Sequence, residues 1–113
     1  MVHIKLKGTP PSTNTLYVEV RGRRIMSAKG KQIKEGYQWE MKSQYKGKPI
    51  TSAIGVVVEF YFKDNRRRDI DNFNKATLDA GTGILWKDDS QIQELTLRKF
   101  IDKKNPRVDI FIH

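Results

Sequence analysis

Ile54-Gly55-Val56-Val57-Val58-Glu59-Phe60-Tyr61-Phe62-Lys63 is the stretch of this 113-residue chain whose reading decides the fold. Val56, Val58, Phe60 and Phe62 face one way, and Val57, Glu59, Tyr61 and Lys63 the other, the alternation of a β-strand with one face on a core. An upstream strand with one buried face is marked by Val2, Ile4 and Leu6 alternating with His3, Lys5 and Lys7. Gly8-Thr9-Pro10-Pro11-Ser12 then forms a loop, because two prolines cannot sit inside a central strand. Tyr17 to Ile25, with Gly22 between Arg21 and Arg23, reads as a short hairpin. Ser27 is placed to N-cap a helix running to about Tyr45, with Ile33, Tyr37, Met41 and Tyr45 on one ridge. Gly30 and Gly36 weigh against that helix, and Gly47-Lys48-Pro49 ends it.

Downstream, Phe73, Ala76, Thr77 and Ala80 recur at i, i+3, i+4 and i+7 in a short helix from about Asn72 to Ala80, stopped by Gly81 and Gly83. Two strands follow, Leu95 to Ile101 and Arg107 to Ile112, parted by a Lys-Asn-Pro turn. The order β-α-β-α-β-β implies an α+β fold: a small single-layer mixed sheet with two helices packed on it, in one domain over residues 1–113.

Hydrophobic residues make up 37% of the chain, enough for one modest core, so disorder is not expected. No run of about 18 apolar residues calls for a membrane span. There is no cysteine, which removes disulfide partners, thiol catalysis and zinc ribbons together. With no apolar signal block at the start, the expectation is a cytoplasmic protein. The 22 basic residues exceed the 13 acidic ones, a formal charge of +9, which points to a polyanionic partner such as nucleic acid.

The chemistry concentrates just after the decisive strand. Arg66-Arg67-Arg68 runs into Asp69-Ile70-Asp71-Asn72, followed by Lys75, Asp79 and the pair Asp88-Asp89. Basic residues packed against clustered carboxylates suit a site that holds a phosphate backbone and divalent metal together. Phosphodiester hydrolysis needs an activated water and neutralised charge, which divalent ions supply, often as a pair about 3.5–4 Å apart. Magnesium takes hard oxygen ligands, commonly one or two carboxylates. Asp69 and Asp71 point to one face if the chain there is extended, with Ile70 turned inward and Asp71 or Asn72 capping the next helix.

Lys75 admits two readings. It lies within a turn of a helix N-terminus, where the macrodipole disfavours a cation by about 0.3–1 kcal/mol. Asp71, Lys75 and Asp79 are successive i, i+4 neighbours and would form a surface ion ladder. Alternatively Lys75 faces the scissile phosphate and stabilises developing charge. Asp88-Asp89 has a plain reading as a turn. On an extended segment, one of the two faces the site while the other caps or supports.

The run from Arg66 to Ile92 resembles the signature of the RusA family of Holliday junction resolvases: a basic run, D-x-D-N-x-x-K, a further Asp, then D-D-x-Q-[IV]. Pro10-Pro11-Ser12-Thr13-Asn14 resembles that family's P-P-S-x-N element, so the matches span residues 10 to 92. The resemblance implies a homodimeric, Mg²⁺-dependent endodeoxyribonuclease, with Mn²⁺ as a substitute, that nicks four-way junctions symmetrically in recombination or repair. It implies Asp69, Asp71 and Asp89 as metal-binding and catalytic carboxylates and Lys75 as the catalytic lysine. Arg66, Arg67, Arg68 and Lys75 would contact DNA, with Asn72, Asp79 and Asp88 in support. Family members are often carried by phages or prophages.

A twofold protein suits a twofold junction, and pairing doubles the +9 charge. Trp39 and the Tyr37/Tyr45 ridge read as core or dimer interface, and Trp86, beside the acidic pair, as buried. His3 and His113 carry no assigned role. Other readings are a non-catalytic basic nucleic-acid-binding module, a nuclease of the P-D…[DE]-x-K type, and an acid-metal phosphatase. Against the second, Glu59 has no lysine two residues on and no Pro-Asp pair occurs. Against the third stands the positive charge.

Overall fold

A computed structural model describes residues 1–113, and its architecture follows from one uninterrupted alternation. The central strand, β4 (Ile54–Phe62), buries Ile54, Val56, Val58, Phe60 and Phe62 on one face. It sits in a four-stranded mixed sheet with β1 (Val2–Lys7), β5 (Ile92–Ile101) and β6 (Arg107–Ile112), in the order β1-β6-β4-β5. β6 runs antiparallel to both β1 and β4, whereas β4 and β5 are parallel. Register carries the apolar face across the sheet, with Leu6, Val108 and Phe60 in one row and Ile4, Ile110 and Val58 in the next.

Helix α2 (Ala28–Gln44) closes this face. Ser27 caps it as the sequence implies, its Oγ accepting from the Gly30 amide at 2.9 Å. Tyr37 and Met41 are buried, and Ile33 and Tyr45 pack half-buried on the same core of 18 residues. Trp39 does not belong to that core; it projects from the opposite side of the helix, 76% exposed.

Two elements lie between β1 and α2. A single helical turn, α1 (Thr13–Leu16), follows the prolines, a piece too short to leave a periodic signal. The hairpin of β2 (Tyr17–Val20) and β3 (Arg23–Met26) pairs only with itself. Both central residues of its turn have positive φ, Arg21 at 52° and Gly22 at 75°, as in a type I′ two-residue loop. For a residue with a side chain that conformation costs roughly 1–2 kcal/mol.

The second helix starts later than its periodicity implies. Ile70–Asn72 form a 3₁₀ turn, and helix α3 runs Lys75–Gly81. Asn74 occupies its N-cap without a side-chain hydrogen bond, so neither Asp71 nor Asn72 caps it. β5 begins at Ile92 rather than Leu95, extended by its pairing with Ile54. The other face of the sheet has no helix on it. It carries polar rows instead, such as Lys5, Asp109, Glu59 and Arg98.

The glycines that weakened the helix reading differ in kind. A Cβ at Gly30 would collide with the carbonyl oxygen of Leu16, where α1 crosses the start of α2. At Gly36 a Cβ meets only open space. Gly30→Ala is therefore expected to destabilise by about 1–3 kcal/mol through overpacking. Gly36→Ala should stabilise by about 0.5–1 kcal/mol through helix propensity. Urea denaturation of both variants checks the opposite signs.

Candidate active site

The segment from Lys63 to Gln91 leaves the end of β4 and returns to the start of β5, carrying nearly every residue singled out by sequence. Its departure is fixed by aromatic packing. Phe73 meets the Phe62 ring edge-on at 4.9 Å and lies 6.2 Å from Phe60, while Ile70 packs partly buried on the same cluster. With these apolar side chains turned inward, Asp69 and Asp71 are left exposed. The chain is extended at Asp69 (φ −85°, ψ 121°), whereas Asp71 sits within the 3₁₀ turn. The extended reading thus holds for the first carboxylate and not for the second.

The three arginines divide. Arg66 and Arg67 are exposed, the Arg66 side chain 76% so. Arg68 is folded back, its side chain 12% exposed, with a 2.7 Å ion pair to Asp64 and its guanidinium 4.3 Å over the Phe62 ring. Its Nη1 also donates to the Asp64 carbonyl at 3.0 Å, so Arg68 shapes the loop that presents its neighbours. The backbone amide of Arg66 and the Arg68 side chain hold the Asp64 carboxyl below the usual carboxylate range.

Lys75 is the first residue of α3 and donates to Asp79 Oδ1 at 3.1 Å, its side chain 52% exposed. The three-member ladder reduces to this one pair, because the 3₁₀ turn takes Asp71 off the helix. The other Asp79 oxygen accepts from the Tyr17 hydroxyl at 2.5 Å. Burial, then the bond to Asp79, pushes the Tyr17 phenol up to about 12. Tyr17 lies 62 residues away and no spacing rule could have found it. A second long-range tie joins the P-P-S-x-N element to the acidic loop, Thr13 Oγ1 donating to the Asn72 carbonyl at 3.0 Å.

The acidic pair is split by role. Asp88 caps the 3₁₀ turn Asp89–Gln91 in a capping box, accepting from the Ser90 amide at 3.0 Å while its own amide donates to Gln91 Oε1 at 2.7 Å. The Ser90 hydroxyl and amide hold its carboxyl below the usual range. Gln91 in turn donates to the carbonyls of Ile50 (2.7 Å) and Ser52 (2.9 Å). Asp89 takes two bonds on Oδ1, from the Thr82 hydroxyl at 2.5 Å and the Trp86 indole at 2.9 Å. Trp86 is fully buried, its ring against Gly81, where an added Cβ would meet it at 2.7 Å. One oxygen of an exposed carboxylate is thereby fixed by a rigid donor and the other faces solvent.

No three Asp, Glu or His side chains of this chain converge as a ready metal cage. The available donors are nonetheless carboxylate oxygens, exposed at Asp69, Asp71 and Asp89. That donor chemistry fits magnesium, which one or two carboxylates commonly hold along with waters and substrate phosphate.

The fold is thus a basic α+β domain that displays carboxylates and a lysine on one crossover. The profile of the family described as Endodeoxyribonuclease RusA matches residues 7–113, and the chain belongs to that family. Similar curated proteins include the crossover junction endodeoxyribonucleases of enterobacteria phage 82 and Escherichia coli K12. Each is 32% identical over 104 residues, covering 91% of this chain and 87% of the relative. The enzyme of the same name from Escherichia coli O139:H28 is 29% identical over the same shares.

Tyr17→Phe deletes a hydrogen bond to a partly buried carboxylate and is expected to cost about 1.5–3 kcal/mol. A raised phenol pKa stabilises the fold fully below the ordinary 10.0, and that contribution is lost as pH rises through about 12. The stability gap between wild type and Tyr17→Phe should therefore close across this range, as chemical denaturation at stepped pH would measure.

Proposed function

We propose that this protein is a Mg²⁺-dependent endonuclease that resolves four-way DNA junctions by paired, symmetric nicks, working as a homodimer. The observation that carries the reading is the ordered set Asp69, Asp71, Lys75 and Asp89, exposed on one braced crossover in a chain of the RusA family. Its relatives are named crossover junction endodeoxyribonucleases.

In this reading Asp69, Asp71 and Asp89 hold the metal. When bound, magnesium supplies charge neutralisation and an activated water. Trp86 and Thr82 keep Asp89 from turning away by occupying one of its oxygens. Lys75 has three donors and uses one on Asp79, which leaves two for a phosphate oxygen. Tyr17 keeps Asp79, and through it the ammonium, in place. Arg66 and Arg67 neutralise phosphates flanking the cut, while Arg68 holds their loop. Asn72 anchors the acidic loop through its carbonyl and Asp88 through its cap.

The second copy would seat at the free edge of β5. Leu95, Phe100 and Ile101 are exposed there, at 40%, 41% and 56%, beside an unpaired ladder of backbone groups.

The test is incubation with a labelled mobile four-way junction and a matched linear duplex, with Mg²⁺ or EDTA. Wild type is expected to nick the junction alone, at paired symmetric sites, and only with metal. Asp71→Asn and Asp89→Asn should bind the junction without cutting it. Lys75→Ala should slow cutting on the order of 10²–10³-fold, as loss of one charge-stabilising donor does elsewhere. Tight binding by wild type with no cutting under any metal would instead make the protein a non-catalytic DNA-binding module.

A further inference from the structure

The β2–β3 hairpin joins no other strand of the fold. Every residue from Val18 to Ile25 is exposed, and the hairpin forms its own two-stranded sheet. Register gives it two faces. Tyr17, Met26, Glu19 and Arg24 share the inner face, which is rooted in the site through Tyr17 and Asp79. Val18, Ile25, Val20 and Arg23 share the outer face, with the three apolar side chains 44–46% exposed.

Three arginines fall within Arg21–Arg24, against one carboxylate, Glu19, paired opposite Arg24. Arg24 lies 5.0 Å over the Tyr17 ring and is committed to the hairpin itself. Arg21 and Arg23 remain at the tip. Arg21 holds the positive φ that asparagine or glycine adopts with less strain, so the turn places a cation where turn stability would favour another residue.

We propose that this hairpin is a second DNA-contacting element, a basic ribbon that rests on the branch point while the crossover cuts. Arg21 and Arg23 hold phosphates, and Val18, Val20 and Ile25 lie against base pairs whose stacking the branch interrupts. The inference rests on the nuclease reading given above. Charge complementarity selects the occupant: a polyphosphate attracts both tip arginines. A second copy of the chain, docked face to face on this surface, would set the same arginines against each other. Scale agrees as well, since the tip stands about 10–14 Å beyond Tyr17, the order of a DNA groove width. Apolar side chains set against opened base steps are a general means of gripping distorted DNA.

The experiment compares wild type with Arg21→Asn/Arg23→Ser and Val20→Ser/Ile25→Thr. The probes are a four-way junction with 2-aminopurine at its centre and the matched duplex. Asparagine keeps the turn, and circular dichroism checks the fold. The arginine variant should bind the junction more weakly, with the slope of log K against log salt reduced by roughly one per lost phosphate contact. The apolar variant should keep duplex affinity, lose about tenfold in junction preference, and lose the 2-aminopurine fluorescence rise that wild type produces. Wild type that fails to cut the junction would overturn the nuclease reading. Wild type that cuts, with variants matching it in affinity, salt slope and fluorescence, would overturn the hairpin alone. Variants that turn monomeric in sedimentation while wild type is dimeric would assign the face to a second copy, and so overturn it too.

Discussion

Parallel pairing of neighbouring strands cannot be closed by a tight turn; the chain must travel back along the sheet before the second strand can begin. In this fold β4 and β5 impose that journey, and residues 63–91 make it. The excursion is pinned at intervals by apolar or hydrogen-bonded anchors. Phe73 and Ile70 hold its departure, the buried face of α3 its middle, Trp86 its turn homeward, and Gln91 its arrival. Between these anchors Asp69, Asp71, Lys75 and Asp89 stand exposed. The site is a by-product of a topological obligation, with charge placed wherever the crossover is not anchored.

The charge surplus is sorted by structure. Arg68 and Arg107 are drawn in, each with an aromatic ring beneath it and carboxylates beside it, where they act as struts. Asp64 and Asp102 keep their side chains partly in solvent, where an ion pair adds little to stability by itself. Their effect is to fix which cations remain outside. Arg66, Arg67 and the hairpin tip are left facing solvent.

Much of this could be read from the residues in order, because the strongest signals are local. The alternation of β4 and β1, the Ser27 cap and the Tyr37–Met41 ridge each depend on neighbours within a few positions, and all of them appear in the fold. The misplaced helix start shows where local reasoning stops. Phe73 satisfies a helical period, but its ring is taken by Phe60 and Phe62, and that packing bends Ile70–Asn72 into a 3₁₀ turn. The same limit applies to Trp39, whose hydrophobicity fits a core that the helix turns away from it. Tyr17, Thr82 and Thr13 gain their roles only through contacts the completed fold creates. The family signature already set Asp89 apart from a supporting Asp88; what it could not supply is the form Asp88 takes, a capping box on the turn that carries its neighbour.

The two tryptophans stand at opposite extremes, Trp39 in water and Trp86 sealed with its indole N–H on Asp89. The protein thereby contains its own optical reporter. With Trp39 replaced by phenylalanine, all remaining tryptophan emission would come from a ring bonded to the Asp89 carboxylate near the end of the crossover. Any change in that carboxylate's charge would alter the local field at the indole. A change at Asp89 would then be readable as a shift in emission colour, with no label attached.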